Sequence, residues 1–159
     1  MNDALLGEVK AHWQQLRGMT YDLLNELKEE DLDKRLPFPA SQSLQSQFEC
    51  MLGTQESWLP LLTKGVWEEW SCSLYELNGE ISIATIKAHL QAADRQLFEA
   101  LESGDLLRRN ERGRSSLMYY MILVEHEAHH QGQLINFIYA HDLPIPESWA
   151  AKWALARET

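Results

Sequence analysis

Apolar residues recur at three- and four-residue intervals from Ala4 to about Lys28: Leu5, Val9, Trp13, Leu16, Met19, Leu23, Leu24 and Leu27. That spacing predicts a long amphipathic helix. The stretch EEDLDKRLPFPAS then breaks the period, because Pro37 and Pro39 push their preceding residues toward extended backbone. A second helix is predicted from Ser43, with Leu44, Phe48, Met51, Leu52, Leu59 and Leu62 on its apolar face and Pro60 expected to kink or end it. Residues 64–81 show no sustained period and carry Trp67 and Trp70, so they read as an irregular crossover packed through its aromatic rings. A third helix starts near Ser82, a suitable N-cap, and runs through Ile86, Leu90, Ala93, Leu97 and Leu101 to a stop at Gly104. Ser115 or Ser116 can cap a fourth helix that continues to about Ala140 and is closed by HDLPIP; ESWAAKWALA forms a short fifth with Trp149 and Trp153.

No internal repeat, strand alternation or hairpin dipeptide interrupts this sequence of elements. The expectation is all-α: one domain over residues 1–159, a four-helix bundle with a long crossover and a short C-terminal fifth helix. The links after the first and second helices are longer than antiparallel neighbours require, so the pattern leaves the connectivity open. At 159 residues the chain can bury a core without disulfides or a structural metal.

Charge removes some classes of partner. A formal net charge of -10 repels phosphate backbones and anionic lipid, so nucleic acid is not expected as a partner. The densest basic stretch, RRNERGR at 108–114, contains a glutamate and no aromatic residue, and reads as a solvated loop. No run approaches the roughly 20 apolar residues of a membrane span. The N-terminal MNDALLGEVKAHW is acidic and amphipathic, unlike a secretory signal, and Cys50 and Cys72 form no repeated pattern; the expected location is cytoplasmic.

The candidate chemistry lies in VEHEAHHQGQL, residues 124–134, where three of the six histidines fall within five positions. His126 and His130, spaced i, i+4, project from one side of a helix and can converge on one ion. Followed in steps of three and four, their face is Tyr119, Ile122, His126, His130, Gln133, Leu134 and Phe137, which points both imidazoles inward. His129 is rotated onto a flank with Glu125 and Asn136 and is expected to be exposed, and Glu127 lies on the other flank. HEAHH also satisfies the His-Glu-x-x-His pattern of zinc proteases, but the strand-rich subdomain and further ligand of those enzymes are missing. Without a metal, the pair reads as core-edge imidazoles satisfied by hydrogen bonds. A catalytic zinc site takes three protein ligands, and by residue type His12, His89, His141 and Cys50 are candidates for the third. Around Cys50 the small residues Ser43, Ser46, Gly53, Thr54 and Ser57 either leave a cavity or let neighbouring elements pack closely, with Cys50 then a small buried hydrophobe.

The run HEAHHQGQLINFIYAHDLPIP resembles the fourth-helix signature of the DinB/YfiT-like superfamily: a His-x-x-x-His pair, an Arg-Gly-Gln or similar triplet, then a proline-containing turn. SLQSQFECMLGTQESWLPLL resembles the second helix, where a ligand histidine precedes an acidic residue and an aromatic. The resemblance covers most of the chain. It implies a four-helix bundle of crossover topology, often dimeric, with a three-ligand site for a divalent metal such as zinc or nickel. Matched residue by residue, the ligands fall on His126, His130 and Cys50; a slip of one position would move the last to Glu49, on the polar flank, or Met51, on the core face. Cysteine stands where the family has histidine, which gives a Cys-His-His site or weakens the metal, and Gln131 stands where the family often has arginine. The implied activity is a metal-dependent thiol S-transferase or hydrolase acting on a small molecule such as a low-molecular-weight thiol, with Glu127 and His129 as candidates to orient ligands or move a proton. The competing expectation is a metal-free, non-catalytic binding or stress-response module of the same fold. A second apolar line on the fourth helix, Met121, Val124, Ala128 and Ile135, predicts a homodimer.

Overall fold

Three of the four long helices begin at a serine whose hydroxyl accepts a hydrogen bond from the backbone N–H three residues on. Ser43 accepts from Ser46, Ser82 from Thr85 and Ser115 from Met118, which settles the start of the fourth helix in favour of Ser115. The computed structural model describes residues 2–77, 79 and 81–157; Met1, Glu158, Thr159 and two residues of the predicted crossover, Asn78 and Glu80, lie outside that description. The helices are α1 (Asn2–Glu26), α2 (Leu44–Lys64), α3 (Ile83–Ser103), α4 (Ser116–Ala140) and a short α5 (Glu147–Trp153), with 3-10 turns at Glu29–Asp31 and Ser73–Glu76. No strand occurs among the described residues, and none of their helices is long and apolar enough to cross a membrane.

Pro60 does not end α2, which continues to Lys64 and stops at Gly65 in the left-handed conformation. The proline removes one intrahelical bond, but the two leucines that follow it, Leu61 and Leu62, are buried and hold the last turn against the core.

Around the bundle, α2 packs on α3 and α4, and α1 packs on the other sides of the same two helices, with α5 against α1. Cross-helix hydrogen bonds fix the directions. The Tyr120 hydroxyl donates to the Val9 carbonyl and the Thr20 hydroxyl to Glu127, so α1 and α4 run the same way. Lys10 meets Glu102 while Lys87 reaches Asn25, so α3 opposes α1. Gln47 meets His130 while Ser116 reaches the Leu62 carbonyl, so α2 opposes α4. Neighbours α2 and α3 are therefore parallel. A short turn cannot join parallel helices; the chain must travel back about 30 Å, the length of 21 helical residues, and the long link before Ser82 does this.

That link is seated by the small residues of α2. A Cβ at Gly53 would lie 2.5 Å from the Trp70 ring, so only glycine lets the indole rest there. Ser57 Oγ accepts from Ser71 N at 2.8 Å, and Glu56 accepts from both the backbone and the hydroxyl of Ser73. Close packing explains this end of the small-residue stripe, while its other end borders a cavity described below.

The core is divided in two. One apolar cluster gathers Leu23, Leu24, Phe48, Leu52, Leu90 and Phe137, and the other Val9, Trp13, Leu61, Leu97, Tyr119 and Leu123. Between them, at the matching level of every long helix, lies a polar layer of Arg17, Thr20, Gln55, Asp94, Glu127 and Gln131. The inward line of α4 is accordingly Tyr120, Leu123, Glu127, Gln131, Leu134 and Ile138, rotated from the face predicted through Ile122, His126 and Gln133, which are only partly buried. Glu127 and Gln131 tolerate burial because the layer supplies partners for their polar atoms. On the second apolar line, Val124 and Ile135 pack against the core and Met121 stays exposed.

Candidate metal centre

Opposed packing of α2 and α4 brings one turn of each helix face to face. Cys50 and Thr54 project from α2 toward His126 and His130 of α4. Cys50 Sγ lies 3.7 Å and Thr54 Oγ1 3.1 Å from His126 Nε2, and the two imidazole centroids are 4.5 Å apart. One ligating atom each from Cys50, His126 and His130 fits within a 4.8 Å span, the separation needed to converge on a single ion. Thiolate sulfur and neutral imidazole nitrogen are ligand types that zinc and nickel accept, so this donor set fits a divalent metal.

Burial sets the protonation of the three groups. It holds His126 down to about 4, helped by the neighbouring His129 and the Arg17 guanidinium, and His130 down to about 3, helped by His126 and His129. Both rings are neutral at pH 7 and carry a free lone pair. Burial pushes the Cys50 thiol up, against a hydrogen bond from Thr54, so ligation would require the thiol to lose its proton. Gln47 Oε1, 2.9 Å from His130 Nδ1, can only accept; Nδ1 therefore carries the proton and the lone pair is on Nε2.

The polar layer lies directly behind this seam. Arg17, 1 % exposed, pairs with Glu127 at 3.2 Å and stands 3.5 Å from Asp94, while donating to Gln55 Oε1 at 2.6 Å. Thr20 donates to the other Glu127 oxygen at 2.6 Å. Asp94 accepts from Trp13, Gln55 and Tyr21. Burial pushes the Glu127 carboxyl above the usual carboxylate range, opposed by Arg17 and Thr20. It also raises the Tyr21 phenol, reinforced by the adjacent Asp94.

In front of the seam a cavity of about 880 Å³ opens between the Leu36–Gln42 segment, α2 and α4, with Cys50 and His130 in its lining. Leu36, Phe38, Phe137 and Tyr139 give it apolar walls; Gln42 and Asn136 add amides; among the described residues no aspartate, glutamate, lysine or arginine lines it.

Of the sequence candidates, His126, His130 and Cys50 come together, and His129 is exposed, with its Nε2 2.9 Å from Gln133 Nε2. Glu127 does not join them; it points into the polar layer. His12 bonds the Tyr120 hydroxyl, His89 that of Ser73 and His141 the Arg35 carbonyl, all away from the cluster. Glu49 is engaged with Gln45 on the flank, and Met51 is buried in the core. Gln131 faces the polar layer, donating to the Leu16 carbonyl and accepting from Trp153 Nε1, so it ties α4 to α1 and α5. Arg17 of α1 brings a guanidinium into the same polar layer.

Sequence reasoning missed Gln47 and Arg17. Gln47 stands three residues before Cys50, on the same helical face, which is a usable signal. Arg17, four residues after Trp13, was visible as a lone charge at the apolar stripe of α1.

A crossover helix bundle with a Cys-His-His seam now stands as a class of structure. The DinB family model matches residues 1–140, and the chain belongs to the DinB family. Among solved structures, the chain is similar to the crystal structure of the DinB-like protein YjoA from Bacillus subtilis, with a TM-score of 0.66 at 15% identity over 89% of this chain and 97% of that one. At that identity the likeness concerns the fold. No curated protein sequence matches the chain.

Proposed function

We propose that this DinB-family protein holds a divalent metal, zinc or nickel, through Cys50, His126 and His130, and acts on an uncharged small molecule admitted by the adjoining cavity. The observation that carries this reading is the convergence of three suitable donors within 4.8 Å, two of which, Cys50 and His130, line a cavity of about 880 Å³. A bound ion would supply Lewis acidity there, favouring loss of a proton from a thiol or water near neutral pH. Thiol transfer is preferred to hydrolysis because the resemblance drawn from the histidine motif includes thiol S-transferases.

The chain's own groups have distinct tasks in this reading. Gln47 fixes the tautomer of His130. Leu36, Phe38, Phe137 and Tyr139 take up the apolar part of the substrate and exclude water, and Gln42 and Asn136 offer amides to its polar groups. The absence of a lysine or arginine from the lining disfavours substrates whose recognition depends on a carboxylate or phosphate.

One observation favours the metal-free alternative. Thr54 already meets His126 and Gln47 already meets His130, so both imidazoles have hydrogen-bond partners without an ion. Metal analysis of protein purified without a histidine tag separates the two. Near-stoichiometric metal, lost in His126→Ala and reduced in Cys50→Ala, is the expected result. Wild-type protein that stays metal-free after zinc or nickel is supplied overturns it.

A further inference from the structure

Lys64 follows Cys50 by fourteen residues on α2, roughly 20 Å away along the helix. There a second cleft of about 710 Å³ opens at the other end of the bundle, lined by Lys64, Arg108, Arg109, Arg112 and Arg114. Four of the chain's eight arginines thus border one cleft in a protein of net charge -10. Asp105 and Glu111 also line it, Lys64 is paired with Glu68, and Arg109 donates to the Gly113 carbonyl. Among the described residues, Arg108, Arg112 and Arg114 form no ion pair, so the excess positive charge is not cancelled within the chain.

The stretch is the exposed loop that its composition predicts, and it is braced as a turn. Asn110 Oδ1 accepts from the backbone N–H groups of Arg112 and Arg114, and its Nδ2 donates to the Tyr119 hydroxyl at 3.0 Å. Arg109 and Ser115 pair as an antiparallel bridge. Asn110 also packs onto Gly65, where a Cβ would meet it at 2.9 Å, so the turn is held against the end of α2. A fixed turn keeps the like charges close, at a cost in repulsion that a mobile loop would relax.

An aromatic recess of about 370 Å³ adjoins this cleft and shares Arg112, Arg114 and Tyr119 with it. Its indoles, Trp58 and Trp67, meet edge to face at 6.2 Å, and Trp67 is 39% exposed. Arginine forks suit phosphate oxygens, and an exposed indole suits a planar ring.

We propose that this paired cleft binds a phosphorylated small molecule carrying an aromatic ring, of the nucleoside phosphate class, with the phosphate on Arg108, Arg112 and Arg114 and the ring against Trp67. The acidic surface elsewhere opposes a long polyanion that would extend beyond the cleft.

Calorimetric titration of the full chain in metal-free buffer tests this, with ADP as probe, adenosine and pyrophosphate as its two halves, and a short single-stranded DNA as the macromolecular competitor. ADP is expected to bind at least about tenfold more tightly than either half. The double variant Arg112→Ala/Arg114→Ala should weaken ADP at least about tenfold while keeping the wild-type unfolding midpoint. Trp67→Ala should remove the preference for ADP over pyrophosphate. Equal binding of ADP and pyrophosphate by the wild type, ADP binding that survives the double variant, or an oligonucleotide that outcompetes ADP would each overturn the proposal.

Discussion

The two apolar halves of the core and the polar layer between them are both buried, Asp94 alone being partly exposed, but they do different work. Leu52 and Phe48 are fully enclosed, and so are Thr20 and Gln131. The apolar halves gain from leaving water wherever they are placed, whereas the polar layer breaks even only when each donor meets an acceptor. It does not fully succeed, since Arg17 Nη1 has no hydrogen-bond partner. A layer that is expensive to bury is weak evidence for stability, and this one adjoins the Cys50–His126–His130 seam and places a guanidinium near His126.

The largest expected effect comes from breaking that layer on one side. Glu127→Ala leaves the Arg17 charge buried without its closest carboxylate, and urea unfolding should show a loss of about 3–5 kcal/mol. The double replacement Arg17→Met/Glu127→Leu should regain most of it, because apolar groups of similar size do not need partners. If the double variant is no more stable than Glu127→Ala, the layer is a stability element and the contrast with the apolar halves fails.

Next comes the apolar reference, Leu52→Ala, which should cost about 2–5 kcal/mol in the same unfolding experiment through the cavity it leaves. Metal content of the folded fraction should not change, since Leu52 packs in the core cluster and is not part of the donor set.

Gln47→Ala should separate site from fold most cleanly. It removes the acceptor that holds the His130 tautomer, so zinc affinity measured by chelator competition should fall by about 10–100-fold. Unchanged affinity would show that His130 is oriented by packing alone.

The smallest effect lies outside both regions. Burial would raise the Asp31 carboxyl, but hydrogen bonds from Lys34 and the Lys28 backbone outweigh it and hold the group below its ordinary 3.8. A lowered folded-state pKa contributes stability above the unfolded value and loses it as pH falls through the folded one. Asp31→Asn should therefore cost no more than about 1 kcal/mol at pH 7 and nothing measurable at the acid end, as read from unfolding at the two pH values.

Much of this architecture was legible in the chain. The apolar period marks α1 to α4, and Ser43, Ser82 and Gly104 mark helix ends through local chemistry that needs no neighbour. His126 and His130 could be paired because i, i+4 spacing converges on any helix. Glu127 was placed on a flank of the fourth helix, but its burial there could not be read, because only Arg17 and Thr20, from another helix, make that burial tolerable. RRNERGR is the exposed loop its composition predicts, but its bracing through Tyr119 and Gly65 could not be read, because it joins residues that local periodicity does not connect.

By itself, then, the sequence determined the helices, their caps and the histidine pair, since those follow from backbone geometry within one or two turns. Only the tertiary structure decided that α2 and α3 run parallel and that a charged layer lies behind the pair; residue type left the third donor open, the family resemblance pointed to Cys50, and the packing brings Cys50 rather than His12, His89 or His141 to the pair. These depend on which faces of separate helices meet, which is a matter of the whole core's packing.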